Sequence, residues 1–327
     1  MSGPRTIIDK IWDAHVVASL GAGEELIFVD RNILHDLTVR IVVPDLAKRG
    51  YGVGSPRMTF AVPDHAISTL PGRNHASDER AREFAHRTRE LAEQAGIVFF
   101  DVAGEKQGIV HVIGPELGIT QPGITIVCTD SHTCTHGALG ALAWGVGTTD
   151  AAHVAATQTI VERRPRRMRV SLDGALQPGV TAKDVILALI GKYGAATGTG
   201  YAIEFAGSFA RGASIDERMT ICNMSIEFGA KTGLVAPDDT TIQYIAGREF
   251  APSGPDWERA VGQWRALPSD EGVTFDAELD LDVAALEPYV TFGTSVDQSL
   301  PISGRVPSPG SGGKRAEETA ALDYIGL

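Results

Sequence analysis

Ile124-Thr-Ile-Val-Cys-Thr-Asp-Ser-His-Thr-Cys-Thr-His-Gly137 is the stretch on which the reading of this chain turns. Its opening, residues 124–127, is apolar and β-branched, the pattern of a buried strand. Residues 128–137 then place a carboxylate (Asp130), two imidazoles (His132, His136), several hydroxyls and two thiols (Cys128, Cys134) at the strand's end. Loops at the carboxyl ends of strands carry the working groups of α/β sheets, so the run predicts an active-site loop there. Histidines four apart can also share a helical face and hold zinc. No glutamate follows the first of them, however, and the neighbouring glycine favours a loop. A polar site, a zinc pair and a plain hydrogen-bonded turn all stay open on these residues alone.

Strand-like and helix-like segments alternate on both sides of the run. The spacing predicts helices over residues 6–18, 77–96 and 150–163, with Thr148 or Thr149 capping the last. It predicts strands over residues 25–29, 57–62 and 97–100, and another over 108–114 that carries His111. A strand over 168–172 follows, then a helix opened by the capping box Thr181-Ala-Lys-Asp184 and ending near Tyr193. A strand over 201–205 and a helix from Ser214 to Gly229 complete the pattern. Gly194-Ala-Ala-Thr-Gly-Thr-Gly200 lacks the Gly-Lys-Ser/Thr ending of a phosphate-binding loop and reads as a tight helix-to-strand connection. Such alternation predicts an α/β protein of layered α/β/α domains. The expected units are residues 1–165, residues 166–288, and a Pro-, Gly- and Ser-rich linker with a short helical tail over 289–327.

With 41 acidic against 29 basic side chains the net charge is −12, which argues against nucleic acid or an anionic membrane as the main partner. No apolar run is long enough to span a membrane, and the amino terminus carries no apolar secretory core. Three cysteines in 327 residues make no disulfide framework and predict a reducing, cytoplasmic setting. The 37 glycines are spread along the chain, which suits many tight turns rather than a disordered tract.

Other residues join the candidate site. Asp64-His65 follows a predicted strand, and an adjacent carboxylate can orient an imidazole and raise its pKa, as a general acid requires. Pro63-Asp64 is equally an ordinary surface turn. His111, alone in an apolar run, reads first as a satisfied core histidine. Asn223 and Glu227, four apart on the helix from Ser214, share one face at the edge of its apolar stripe. A half-buried carboxylate there needs a partner, and a histidine would serve.

Taken in order, several motifs carry a likeness: Val29-Asp-Arg31 with His35, Pro63-Asp-His65, the 128–137 run, Gly179-Val-Thr-Ala-Lys-Asp184, Gly198-Thr-Gly-Tyr201, Arg218-Met-Thr-Ile-Cys-Asn-Met224 and Gly229-Ala-Lys-Thr-Gly233. They resemble the aconitase family over nearly the whole chain, most closely its 3-isopropylmalate dehydratase large subunits. The resemblance implies a hydro-lyase of leucine biosynthesis that isomerises 2- and 3-isopropylmalate, a small hydroxy-dicarboxylate, by dehydration and rehydration. By resemblance Asp64 and His65 protonate the departing hydroxyl, and His111 pairs with Glu227. Asp130 and His132 organise bound water and substrate, with Ser131, Asn223 and His35 in the surrounding shell. The family also implies a [4Fe-4S] cluster, held by cysteines in a Gly-Ser-Cys-Thr-Asn run and a Cys-x-x-Cys pair, and neither motif occurs here. Cys128, Cys134 and Cys222 are therefore expected not to be ligands, and no metal ligand is assigned. The expectation is a component lacking the third, cluster-ligand domain. It would be inactive alone and act with a small swivelling subunit and a cluster-bearing chain. Its alternatives are a non-catalytic or assembly relative, and a cluster-free hydro-lyase with a divalent ion on Asp130, His132 and His136. Two departures stand near the site: Cys-Thr-Asp-Ser-His where the family has Cys-Gly-Asp-Ser-His, and Val39-Arg-Ile41 where it has Ser-Pro-Gln.

Overall fold

The computed structural model describes residues 3–68, 70, 79–308 and 315–327. Thr6 and Asp9 cap α1 (Ile7–His15) reciprocally, a motif whose loss costs about 1 kcal/mol. The chain then enters β1 (Val16–Gly21), not the continued helix expected to residue 18, because Val16 and Val17 are β-branched and Val16, Ala18 and Ser19 pair across to β2 (Glu24–Phe28). β3 (Arg31–His35) leads directly into α2 (Asp36–Lys48). β4 (Thr59–Val62) is shorter than predicted, since residues 56–58 form a 3₁₀ turn begun by Pro56. α3 (Glu79–Gln94) ends before Gly96, whose φ of +68° only glycine adopts freely. Its expected start at Ser77 lies outside the described residues. β5 (Val98–Phe99) follows.

Residues 108–114 are not the predicted strand. They open α4 (Val110–Glu116), whose first N–H, that of Val110, is bonded to Asp64. β6 (Thr125–Cys128) is the strand expected before the polar run, buried at every position. The run itself coils into a 3₁₀ helix, Ser131–Leu139, with Asp130 as its N-cap and Gly140 ending it at φ +78°. β7 (Leu142–Gly145) and α5 (Thr148–Thr157) come next. The cap of α5 is Gly147, not a threonine, and Gln158 at φ +55° stops the helix. Residues 159–163, predicted helical, are β8 (Thr159–Arg163), because Thr159, Ile160 and Val161 pair with β2.

β3 to β7 form one parallel sheet in the order β5-β4-β3-β6-β7. α2, α3 and α5 cover one face through Val39, Val42, Leu91, Ala92 and Ala151. α4 covers part of the other through Val110 and Ile113. Burial on both faces explains why β6 is apolar throughout rather than alternating. From β3 the chain order runs outward one way to β4 and β5, and the other way to β6 and β7. The switch point therefore lies between β3 and β6, and the crevice at their carboxyl ends is where such a sheet binds ligands.

A second parallel sheet joins β9 (Arg166–Asp173), β10 (Tyr201–Ala206), β11 (Thr232–Val235) and β12 (Ala277–Asp282) in the order β11-β10-β9-β12. Its core packs on α6 (Ala182–Tyr193), which the predicted Thr181–Asp184 box does cap, and on α8 (Ile215–Asn223). The short α7 (Gly207–Gly212) precedes α8, and α9 (Asp239–Ile245) and α10 (Pro255–Arg265) follow β11. α8 stops at Asn223 rather than Gly229. Ser225 Oγ donates back to Cys222 O, and Glu227 lies in the turns beyond. Within the segment read as linker, β13 (Tyr289–Thr291) pairs with β14 (Ser299–Pro301), and the tail is α11 (Arg315–Tyr324). Among the described residues no helix is long and apolar enough to cross a membrane.

Candidate active site

Asp130 sits where β6 ends, at the switch point, and its two oxygens organise the crevice. Oδ1 accepts the backbone N–H of His132 at 2.7 Å, the bond that caps the 3₁₀ helix. His111 Nε2 lies 3.0 Å from the same oxygen, somewhat off its N–H axis. Oδ2 faces His65 Nε2 at 3.1 Å. The far nitrogen of His65, Nδ1, is 2.6 Å from Asp64 Oδ1. Asp64 Oδ2 in turn accepts Val110 N–H from the first turn of α4 at 2.9 Å. His65 is thus held between two carboxylates, both acceptor-only when ionised, so both of its ring nitrogens carry protons.

The electrostatics follow from this wiring. Burial works against a charged His65, yet the hydrogen bond and charge of Asp64, with Asp130 behind it, raise its pKa above the usual 6.5. Contact with His111, then the His132 backbone bond and the nearby His65 charge, hold the Asp130 carboxyl well below its usual range against the effect of burial. His35 stacks on His65 with ring centroids 3.9 Å apart. Burial first, and His65 beside it, push His35 down, so it stays neutral. Asp36, fully buried at the start of α2, accepts the backbone N–H groups of His65 and Ala66 at 3.2 and 2.8 Å and so fixes the loop that carries the acid.

The second histidine–carboxylate pairing differs from the one expected. Glu227 does not meet His111; its Oε1 lies 2.7 Å from His132 Nε2, while His111 turns to Asp130. The exchange follows from the early end of α8 and from α4 being helical, which set both side chains at new angles. Ser131 Oγ is 3.1 Å from His132 Nδ1. Asn223 lies behind the run and donates to Thr135 Oγ1 at 2.9 Å, and Thr135 Oγ1 donates to His132 O. Thr129 O is 3.3 Å from His35 Nε2, and Thr129 Oγ1 donates to Thr38 Oγ1, so one departure at the loop is tied to the helix turn that carries the other. Asp36 and Thr120 were not legible as site residues. The one sequence signal for Asp36 is its place directly after His35.

His132 and His136 do not converge on an ion. His136 is fully buried, with Nε2 3.1 Å from His111 Nδ1 and Nδ1 2.6 Å from Thr120 Oγ1, which removes the zinc reading and the divalent-ion alternative built on it. Among the described residues the donor atoms of His35, Asp36 and His65 do gather within 4.8 Å. The two rings are stacked, however, so their in-plane lone pairs do not meet, and Asp36 is committed to backbone N–H groups. Two buried polar atoms around the crevice lack a hydrogen-bond partner: His35 Nδ1 and Glu227 Oε2. An unmet buried polar group costs about 1–3 kcal/mol, and such groups cluster where a ligand supplies what is missing.

The model of the aconitase family (aconitate hydratase) matches residues 9–327. The chain belongs to the aconitase family. It is similar to the "3-isopropylmalate dehydratase large subunit 1" of Bradyrhizobium diazoefficiens, 52% identical over 326 residues that cover 99% of this chain and 68% of the relative. It is 48% identical to the 3-isopropylmalate dehydratase large subunit of Anaeromyxobacter dehalogenans, over all of this chain and 70% of that one. It is 47% identical to that of Roseiflexus castenholzii, over 99% and 70%.

Aconitase-family proteins generally bind a [4Fe-4S] cluster, and the thiols of this family member do not fit one. Cluster ligation needs thiolates that converge on a shared, accessible point. Cys128, Cys134 and Cys222 are all fully buried. Burial pushes the Cys134 thiol up to about 11, and its Sγ donates to Asn223 O. Burial likewise drives Cys128 and Cys222 far above the usual thiol range. Anaerobic reconstitution of this chain with iron and sulfide is expected to leave no cluster absorbance in the visible region. A stable chromophore with matched iron and sulfide content overturns the assignment of all three as packing residues.

Proposed function

We propose that this chain is the acid–base component of a 3-isopropylmalate dehydratase, a hydro-lyase that isomerises a small hydroxy-dicarboxylate by removing and re-adding water. The observation that carries this reading is His65 held protonated between Asp64 and Asp130 at the sheet's switch point. In dehydration a hydroxyl departs from one carbon while a proton leaves its neighbour. An imidazolium beside the hydroxyl gives it a proton, so that it leaves as water rather than as hydroxide. Asp130 then faces a neutral imidazole, ready to be reprotonated for the return step. His132, fixed by Glu227, is placed to orient bound water and substrate, and His111 holds the Asp130 carboxylate.

The residues that contact these side chains are carboxylates, imidazoles, hydroxyls and backbone groups, which makes the crevice rich in negative charge. A dicarboxylate entering it needs added cations. The relatives are named large subunits, and the source we propose is a small subunit that closes over the crevice, with cluster ligands also coming from outside the thiols of this chain. The three free cysteines suit a cytoplasmic setting.

The test mixes the purified chain with the small subunit and cluster-bearing segment of a homologous dehydratase, and follows the unsaturated acid by its ultraviolet absorbance. Formation of the enoate from isopropylmalate is expected, reduced about 10²-fold or more by His132→Ala. No turnover with all components present, or turnover undiminished by that change, overturns the reading.

A further inference from the structure

We propose that His136 is a positioning residue for this site: it holds His111 in the single form whose proton lies on Nε2, toward Asp130. The inference follows from counting donors and acceptors along a buried chain, and its catalytic meaning rests on the function proposed above.

The chain starts at Asp130, which is ionised and can only accept. His111 Nε2, 3.0 Å from Oδ1, therefore carries a hydrogen. In the neutral ring Nδ1 is then a bare lone pair. His136 Nε2, 3.1 Å away, must donate to it. That leaves His136 Nδ1 as the acceptor for the Thr120 hydroxyl, at 2.6 Å. With the His111 proton on Nε2 alone, each bond points the same way along the chain. His136 and Thr120 are both fully buried, and the two rings meet edge to face at 81°. The space for the His136 ring is provided by Gly114 of α4, where a β-carbon would lie 2.6 Å from His136 Cε1.

Protonating His111 requires its Nδ1 to donate, so His136 would have to exchange both of its hydrogen bonds and Thr120 would have to turn. Burial, the largest effect, pushes His136 well below the usual histidine value and keeps it neutral, with Asp130 pulling the other way. His136 thus divides labour around Asp130. One side of the carboxylate receives His111 in a fixed orientation, and the other receives His65. The proton available to a departing hydroxyl is then that of His65, while His111 is aimed and held.

The test is a spectroscopic one on the chain labelled with ¹⁵N-histidine, where two-bond proton–nitrogen spectra report which ring nitrogen bears hydrogen. The expected spectrum shows His111 and His136 both protonated at Nε2 alone. In His136→Leu, His111 is expected to become a mixture of both tautomers. In His136→Gln, whose amide reaches the place of Nε2 and can donate, the single form is expected to return. In the assembled enzyme His136→Leu is expected to lower kcat about tenfold or more with KM unchanged, and His136→Gln to restore most of it. Should His136→Leu not fold, Thr120→Val removes only the outermost donor and is expected to mix the tautomers of His136. His111 protonated at Nδ1 in the parent chain, or an unmixed spectrum in the folded variants, overturns the proposal. The tautomers are read without substrate, so an assembled enzyme with no turnover sinks the proposed function and leaves this inference standing. Lost turnover with unchanged tautomers sinks this one.

Discussion

Asp130→Asn is expected to lower kcat/KM of the assembled enzyme by about 10² to 10⁴-fold, the range for loss of a positioned acid–base group. The substitution is nearly isosteric, and asparagine is as good an N-cap as aspartate, so the 3₁₀ helix keeps its bond to His132 N–H. What changes is the charge and the donor count. The amide must turn its NH₂ toward either His65 Nε2 or His111 Nε2, both of which face a carboxylate oxygen in the parent. One of those contacts becomes donor against donor, and the charge that favours the His65 imidazolium is gone. The pH dependence separates this from a general loss of structure. His65 acts in its protonated form, and its pKa is raised above 6.5, so the rate falls as pH rises through that raised value. Removing a charge that raises it moves this alkaline limb toward lower pH. Asp64→Asn, which removes the nearer carboxylate, is expected to move it further the same way. Folding follows the same signs. His65 contributes stability below the ordinary histidine value that is lost as pH rises through its raised pKa. Asp130 contributes stability above the ordinary carboxylate value that is lost as pH falls through its lowered one. An unmoved alkaline limb in both variants removes His65 from the role of acid.

How much of this was readable in the chain depends on how local each feature is. β6 and the polar run are contiguous, so their order alone placed Asp130 at a strand's carboxyl end. Asp64 and His65 are adjacent, and their pairing needs only a rotamer. The partners of His111 and Glu227 were misjudged because each is set by where a helix begins or ends. A valine- and isoleucine-rich segment around His111 has strand-like composition, and packing of Val110 and Ile113 on the sheet makes it helical. Likewise residues 214–229 carry helical spacing throughout, yet the chain turns after Asn223. Residues 159–163 show the same override: helix-like in length when joined to α5, they are claimed by the edge of β2. His136 looked like half of a zinc pair because spacing says nothing about which way a 3₁₀ helix turns a ring. Its partners, Thr120 and His111, come from other parts of the chain.

Gly137→Ala is expected to destabilise the fold by about 3 kcal/mol or more, the upper end for overpacking against atoms that cannot move aside. Gly137 closes the polar run, and the 3₁₀ helix there crosses β11 with no side chain between the two backbones. A β-carbon on Gly137 would overlap Gly233 O and press on Leu234 Cα. Relief from the other side is blocked as well. Gly233 is packed on Phe205 and Ser225, where even a methyl group would come within 2.7 Å of Phe205 Cε2 and 2.8 Å of Ser225 Cβ. β11 is an edge strand of its sheet, bonded to β10 from Thr232 to Val235, so moving it breaks parallel ladder bonds. Moving the 3₁₀ helix instead carries His132 and His136 with it and shifts His132 from Glu227. The strain therefore falls on the seam between the sheet that ends at the crevice and β11, which follows the turns that carry Glu227. Urea unfolding is expected to show a lower midpoint for Gly137→Ala than for Gly212→Ala, a glycine with open space where a methyl group would stand. Equal midpoints for the two variants would show that the backbone crossing yields more easily than its geometry implies, and that the site's two walls are not locked together at Gly137.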